Sequence, residues 1–190
     1  SVPVFCLQCD VGHPCQTLAD LMTIREEFGK DLRDLKIAVS WAYAPSYVKP
    51  MSVPQGLIML MSRYGMNVSL AHPPEYKLMS EPMRLARENT ARSGGKFTVV
   101  DNMEEAFADA DIVYPKSWGP EALFGNPEEA MKVADQYRHW ICDEAMMARA
   151  KQQAIYMHCL PADRNNARRP TNRSGLAPSR QPKLWPSCHG

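Results

Sequence analysis

Apolar and polar positions between residues 36 and 158 alternate between two periods. Short, nearly continuous apolar runs read as buried strands at Lys36–Ala42, Met66–Ala71, Lys96–Val100, Asp111–Tyr114 and Ala154–His158. Between them the spacing is helical. Val53 to Tyr64 is a mostly apolar helix stopped by Gly65, and Ser80-Glu81-Pro82 opens another that ends at Gly94-Gly95. Asp101 with Glu104 has the form of a capping box for a short helix. Asn126-Pro127-Glu128-Glu129 supplies an N-cap, a proline at the first helical position and an acidic third position. Asp143 to Lys151 completes the set. Upstream, Pro14 starts a helix in which Leu18, Leu21, Met22 and Phe28 recur at helical spacing up to Gly29. Val2–Leu7 has strand propensity, and Tyr43 to Ser52 is a loop holding Pro45 and Pro50. Five strands alternating with helices predict an α/β fold, a parallel sheet covered by helices with right-handed crossovers.

In open sheets of this kind ligands bind outside the carboxyl ends of the strands. Two strand ends carry chemistry. Ile155-Tyr-Met-His158-Cys159-Leu160-Pro161 ends one strand beside a proline that cannot continue a ladder. Cys159 reads there as a nucleophile, a ligand, a polar contact or a small buried hydrophobe. Lys116-Ser117-Trp118 follows another strand, with a cation for an anionic group and an indole for a wall. A third cluster, His13-Pro14-Cys15-Gln16, opens the first helix. His13 and Gln16 share one face there. The free N–H groups and the dipole favour developing negative charge at a helix N-terminus, and both side chains can donate to an oxyanion, which suits acyl transfer. The same residues also fit a capped surface helix.

Composition narrows the class. The 190 residues are 45% apolar and 23% charged, as in globular proteins, and the net charge is +1. That average hides an asymmetry. Residues 164–190 hold six Arg or Lys and no acidic residue, which leaves residues 1–163 at −5. The body has no basic footprint for nucleic acid. The tail is Arg/Pro/Asn/Ser-rich and is expected to be disordered, either as a basic tail or as the product of a truncated or frame-shifted coding sequence. No apolar run approaches the roughly 20 residues of a membrane span. The opening Ser1-Val-Pro-Val-Phe5 lacks the charged start of a signal peptide, and without an initiator Met the chain is expected to be the back part of a longer protein. Six scattered cysteines fit a reducing compartment rather than a disulfide scaffold. Cys6 and Cys9 fall on opposite faces of the expected first strand, so no metal site is expected.

Taken together, His13-Pro-Cys-Gln-Thr-Leu-Ala-Asp20 and His158-Cys-Leu-Pro161 resemble the two signature motifs of the aspartate/ornithine carbamoyltransferase family, over roughly residues 1–163. The segments Trp41–Gly56 and Tyr114–Gly119 resemble the YgeW-type, knotted branch, in which a proline-bearing loop belongs to a threaded topology. The resemblance implies a Rossmann-like amino-acid-binding domain over 31–163. It makes 1–30 a remnant of the carbamoyl-phosphate domain with its connecting helix and leaves 164–190 as the tail. It implies carbamoyl transfer from carbamoyl phosphate to an amino-acid-like amine, without a cofactor. His13 and Gln16 would hold and polarise the carbamoyl group, and the Leu160 carbonyl would receive its amino group. Cys159 would be a polar contact of the amine. Lys49, Lys116, Ser117, Trp118, His158 and Pro161 would contact substrate.

The full-length relative would be a cytoplasmic homotrimer, with no membrane or nucleic-acid partner. Three departures qualify this. The family's phosphate-binding Ser-x-Arg-Thr-Arg is absent from the sequence. Lys116 stands where ornithine enzymes carry an Asp, and the Lys49–Gln55 region replaces their Asn-bearing loop. The tail does not resemble the family's last helix. The expected outcome is a fragment without turnover. An active ornithine-type transferase and a non-catalytic amino-acid-binding remnant are the alternatives.

Overall fold

The computed structural model describes residues 2–3, 6–44 and 49–159. Strands β1 (Lys36–Trp41), β2 (Asn67–Ala71), β3 (Lys96–Val100), β4 (Ile112–Lys116) and β5 (Ile155–Tyr156) form one parallel sheet, in the order β3-β2-β1-β4-β5. Helix α1 (Pro14–Phe28) precedes β1. Helices α2 (Ser52–Arg63), α3 (Ser80–Ser93), α4 (Met103–Phe107), α5 (Pro127–Asp135) and α6 (Glu144–Met147) lie in the connections. By the right-handed crossover rule the connections from β1 to β3 cover one face of the sheet and those from β3 to β5 the other; α2 packs on α3, and α4 on α6. The chain runs outward from β1 to β3 and then returns across the sheet to β4. The strand order therefore reverses between β1 and β4, where doubly wound sheets open a crevice.

Burial explains why the inner strands read as continuous apolar runs. All of β4 and all but the first residue of β1 are buried, covered on both faces. β3 is an edge strand with one open face, and Val99 on it is 41% exposed. β5 is shorter than its apolar run predicts, and the reason lies in its neighbour. The Asp111 and Val113 carbonyls accept from Ile155 and Met157 (3.0 and 2.9 Å). The next residue on that edge is Pro115, which has no N–H for a further rung. Pro115, not Pro161, ends the ladder, and His158 and Cys159 leave the sheet at that point.

Three other expectations are corrected. Val2, Pro3, Cys6 and Leu7 are not in a strand, and Leu7 is exposed; neither edge of the sheet offers this segment a ladder. The chain bends instead, the Cys9 N–H donates to the Gly12 carbonyl (2.9 Å), and the Cys6 and Cys9 thiols face one another. The cap of α4 is Asn102, whose Oδ1 accepts from the Glu105 N–H (2.8 Å), while Asp101 accepts from Asn102. On α1 the buried face is Thr17, Asp20, Leu21 and Ile24, whereas Leu18 and Met22 point outward.

The position of α1 depends on a close approach to α2. A Cβ at Gly56 would lie 2.5 Å from the Thr17 Cγ2. The Thr17 hydroxyl donates back to the His13 and Pro14 carbonyls (3.1 Å each), so its rotamer is fixed. Gln55 adds a bracket. Its Nε2 donates to the Asp10 and Val11 carbonyls (3.1 and 2.9 Å), and its Oε1 accepts from the Met79 N–H (3.0 Å). Gly56→Ala is expected to destabilise the protein by about 1–3 kcal/mol through overpacking. Thr17→Ser in the same chain removes Cγ2, keeps the hydroxyl and should recover most of the loss. Urea unfolding midpoints of the single and double variants measure both effects.

Candidate active site

Three chain segments converge at the carboxyl end of the sheet. The first is the N-terminus of α1. His13 is its N-cap, and the imidazole Nδ1 accepts from the Gln16 N–H (3.4 Å). An accepting Nδ1 leaves the ring proton on Nε2, so His13 presents an N–H donor away from the helix. The Gln16 side chain is anchored at its amino end, because Nε2 donates to the Asp20 Oδ1 (2.9 Å). A carboxylate only accepts, which leaves the Gln16 Oε1 as the free end. The cluster thus offers one donor and one acceptor at a helix N-terminus.

The second and third segments are the ends of β4 and β5. The wholly buried Tyr114 donates its hydroxyl to the other Asp20 oxygen (3.2 Å). Its ring stacks on His158 with centroids 6.5 Å apart at 16°, and its hydroxyl also lies beside the Cys159 thiol. The two sequence motifs therefore meet through Tyr114. Burial raises the Asp20 pKa to about 6, against the hydrogen bonds from Gln16 and Tyr114 that lower it. Burial also pushes the Cys159 thiol up, so it is protonated at neutral pH and is no thiolate nucleophile. His158 is pulled down to about 4 by burial, with the Lys116 charge adding to the effect. It is a neutral imidazole at neutral pH, and among the described residues its Nδ1 has no partner.

Lys116 ends β4 opposite Trp41 of β1, at the switch point, and is only 6% exposed. Its ammonium donates to the Pro50 and Ser117 carbonyls (3.0 and 2.8 Å), which leaves one N–H without a partner among the described residues. Burial lowers its pKa to about 8, and the Lys49 charge acts in the same direction. Trp118 is buried too; its indole N–H donates to the Tyr76 carbonyl (2.9 Å), and its own carbonyl accepts from the Trp41 indole (2.9 Å). A cleft of about 160 Å³ opens here, walled by Trp41, Tyr76 and Trp118, with Lys49, Ser117, Asp135 and Arg138 also on its lining.

The predicted residues fall into two groups. Lys49, Ser117 and Trp118 line the cleft, whereas His13, Gln16, His158 and Cys159 gather around Tyr114 and Asp20 outside its lining. Lys116 lies between the groups, coupled by charge to Lys49 on one side and to Cys159 and His158 on the other. Leu160 and Pro161 lie outside the described residues, as do Pro45 in the loop after β1 and the tail. Sequence reasoning missed Asp20, Tyr114 and Gln55. Asp20 had a signal: it shares a face with Thr17, Leu21 and Ile24, and a carboxylate on a buried helix face needs partners. Among the described residues no group of three or more His, Cys, Asp or Glu is arranged to hold a metal ion, and no helix is long and apolar enough to cross a membrane.

Known proteins share this sequence and fold. The family described as aspartate/ornithine carbamoyltransferase, Asp/Orn binding domain, matches residues 49–169. The putative carbamoyltransferase YgeW of Escherichia coli (strain K12) is 49% identical over 176 residues, covering 83% of this chain and 44% of that protein. N-acetylornithine carbamoyltransferase of Xylella fastidiosa (strain Temecula1) is 40% identical over 168 residues, covering 86% of this chain and 48% of that protein. A crystal structure of an N-acetyl-L-ornithine transcarbamylase variant, complexed with carbamyl phosphate and N-succinyl-L-norvaline, superposes with a TM-score of 0.77 at 40% identity, covering 82% of this chain and 47% of the other. The chain spans about half the length of the curated relatives it matches. Its fold, its motifs and these likenesses agree: the chain belongs to the aspartate/ornithine carbamoyltransferase family.

Proposed function

We propose that this chain carries the acceptor-binding half of a carbamoyltransferase, in which an amino-acid-like amine attacks the carbamoyl carbon of carbamoyl phosphate. A C–N bond forms, the bond from that carbon to the phosphate oxygen breaks, and the amine loses a proton. The observation that carries this reading is the pairing of one donor with one acceptor at the α1 N-terminus. A carbamoyl group, an amino group on a carbonyl carbon, has the complementary pair. The His13 Nε2–H donates to its oxygen and the Gln16 Oε1 accepts from its amino group, with the Leu160 carbonyl as a second acceptor. The helix dipole favours the charge that builds on the oxygen during attack. Cys159, a neutral thiol, and His158, a neutral imidazole, are polar contacts of the amine side.

Lys116 and Lys49 give the acceptor end a positive potential, so the acceptor carries an anionic group there, beside Ser117 and the Trp118 wall, with Pro161 kept from the family motif as a further substrate contact. A cation in place of an acidic residue argues against a free diamine such as ornithine in that position. The relatives named for N-acetylornithine support an acylated amine. Residues 1–30 are read as the remnant of a carbamoyl-phosphate domain, 31–163 as the acceptor domain and 164–190 as a separate tail. The outward Leu18 and Met22 on α1 fit a face that a first domain covers. The full-length protein is read as a cytoplasmic homotrimer.

Two measurements test this reading. The 190-residue chain, which lacks the family's phosphate-binding motif, is expected to form no carbamoylated product from carbamoyl phosphate and a panel of amino-acid amines in a ureido colour assay. In a full-length protein carrying these residues, His13→Ala is expected to lower kcat about 10²–10³-fold, and undiminished turnover would remove His13 from the mechanism. The second measurement concerns pH. Lys116 holds its charge only below a pKa of about 8. Binding of an N-acylated amino acid without a free amine, such as N-acetyl-L-norvaline, should be strongest below that pH. It should fall up to tenfold per unit as pH rises above it, because deprotonation removes the cation. Lys116→Met should bind about 10–100-fold more weakly and lose the pH dependence, read by calorimetric titration.

A further inference from the structure

We propose that Asp20, held by Tyr114, is a positioning residue that decides which end of the Gln16 side-chain amide faces the reacting group. The proposal rests on the carbamoyl-transfer reading above and names what orients one of its two contacts. The two ends of a glutamine amide have nearly the same shape and opposite hydrogen-bonding character. An unanchored Gln16 would turn over and bring its amino end against the amino group of a carbamoyl group, donor against donor. The bond would be lost and a desolvated donor left unpaired.

Asp20 prevents the inversion because a carboxylate has no proton to offer. Its Oδ1 takes the Gln16 Nε2 at 2.9 Å, so only the amino end can turn inward toward α1. Four residues separate the two on the helix, the spacing that brings side chains together on one face. The carboxylate is itself held from the sheet. Its Oδ2 receives the Tyr114 hydroxyl at 3.2 Å, and Tyr114 is rigid in the middle of the sheet, in register with Val39 of β1. Asp20 is 5% exposed and Tyr114 wholly buried, so the bond between them is shielded from water, while the Gln16 bond is part-buried. Tyr114 also stacks on His158 and lies beside Cys159. One sheet residue therefore sets the orientation of Gln16 and the spacing of the second motif.

The test uses Asp20→Asn, which keeps the shape but offers a donor as well as an acceptor, and Tyr114→Phe, which releases the carboxylate. Nitrogen-15 spectra of the full chain, with the Gln16 amide assigned by its loss in Gln16→Glu, should show two well-separated side-chain protons in the parent. In both variants they should move toward free-amide positions while the backbone spectrum stays folded. In a full-length protein carrying these residues, kcat/KM for carbamoyl phosphate should fall about 10–100-fold in Asp20→Asn, with kcat falling more than KM rises and the melting temperature held. A purely structural Asp20 would lower the melting temperature and leave the Gln16 signals in place, which overturns the proposal. So does a folded Asp20→Asn with parental kcat/KM. A parent that carbamoylates no amine sinks the functional reading, while the Gln16 signals still decide whether Asp20 and Tyr114 orient the amide.

Discussion

The hydrogen bond from the Tyr114 hydroxyl to the Asp20 carboxylate spans 94 positions of chain and ties the one helix that precedes the sheet to the centre of it. On its own α1 has no strand before it among the described residues, and part of its apolar surface faces outward. Leu21 and Ile24 anchor it in the core, and a short list of specific contacts adds to that burial. Thr17 packs against Gly56, Gln55 reaches the loop ahead of the helix, and Asp20 meets Tyr114. Thr17 and Asp20 lie in the first half of the helix and the Gln55 contacts just ahead of it, all near His13 and Gln16. The polar contacts of α1 are therefore concentrated where the proposed chemistry needs precision, while Leu21, Ile24 and Phe28 pack the rest of the helix on the core.

That arrangement works against stability. Taking a carboxylate out of water costs several kcal/mol before its hydrogen bonds repay part of it, and the Asp20 pKa of about 6 shows that burial outweighs the help from Gln16 and Tyr114. The sign follows from the shift. The folded protein holds the Asp20 proton more tightly than the unfolded chain does. The carboxyl's contribution is most favourable at low pH and declines as pH rises from about 4 to about 6. Lys116 and His158 carry the opposite shift, since burial disfavours their charged forms. A fold selected only for stability has little reason to bury an acid and two bases at the end of one sheet. Their concentration at the switch point is what a site requires.

Much of this was legible in the sequence, and the exceptions have physical causes. β3 matches its expected limits, and α5 begins with the Asn126 cap and Pro127 as its local chemistry dictates. Both depend on neighbours within a few residues. β5 ends early because of Pro115, which lies about 40 positions away and acts only once the strands are paired. The outward turn of Leu18 and Met22 depends on which face of α1 meets Gly56, and hydrophobic periodicity alone does not choose between Leu18 and Thr17. At the site, the motif residues His13, Gln16, His158 and Cys159 were legible as types. Their mutual link was not, because Tyr114 sits in an apolar strand where an aromatic residue is expected for packing alone.

The distribution of charge around this link matches the proposed pairing of a neutral group with an anionic one. The charges of Asp20 and Lys116 have partners within the protein. Asp20 is tied to Gln16 and Tyr114, and Lys116 to two carbonyls. Between them stand groups that are neutral at neutral pH, the Cys159 thiol and the His158 imidazole. A carbamoyl group carries no charge before attack, and fixed neutral donors and acceptors suit it without a counter-ion to displace. The cations sit beyond it, toward the Trp41 and Trp118 cleft, where an anionic substituent of the acceptor would end. A cation beside the carbamoyl group would compete with His13 for its oxygen, and the carboxylate on the cleft lining, Asp135, is paired with Arg138. Burial raises the Asp20 and Cys159 pKa values and lowers those of Lys116 and His158, and by keeping Cys159 and His158 neutral it maintains this separation through the neutral pH range.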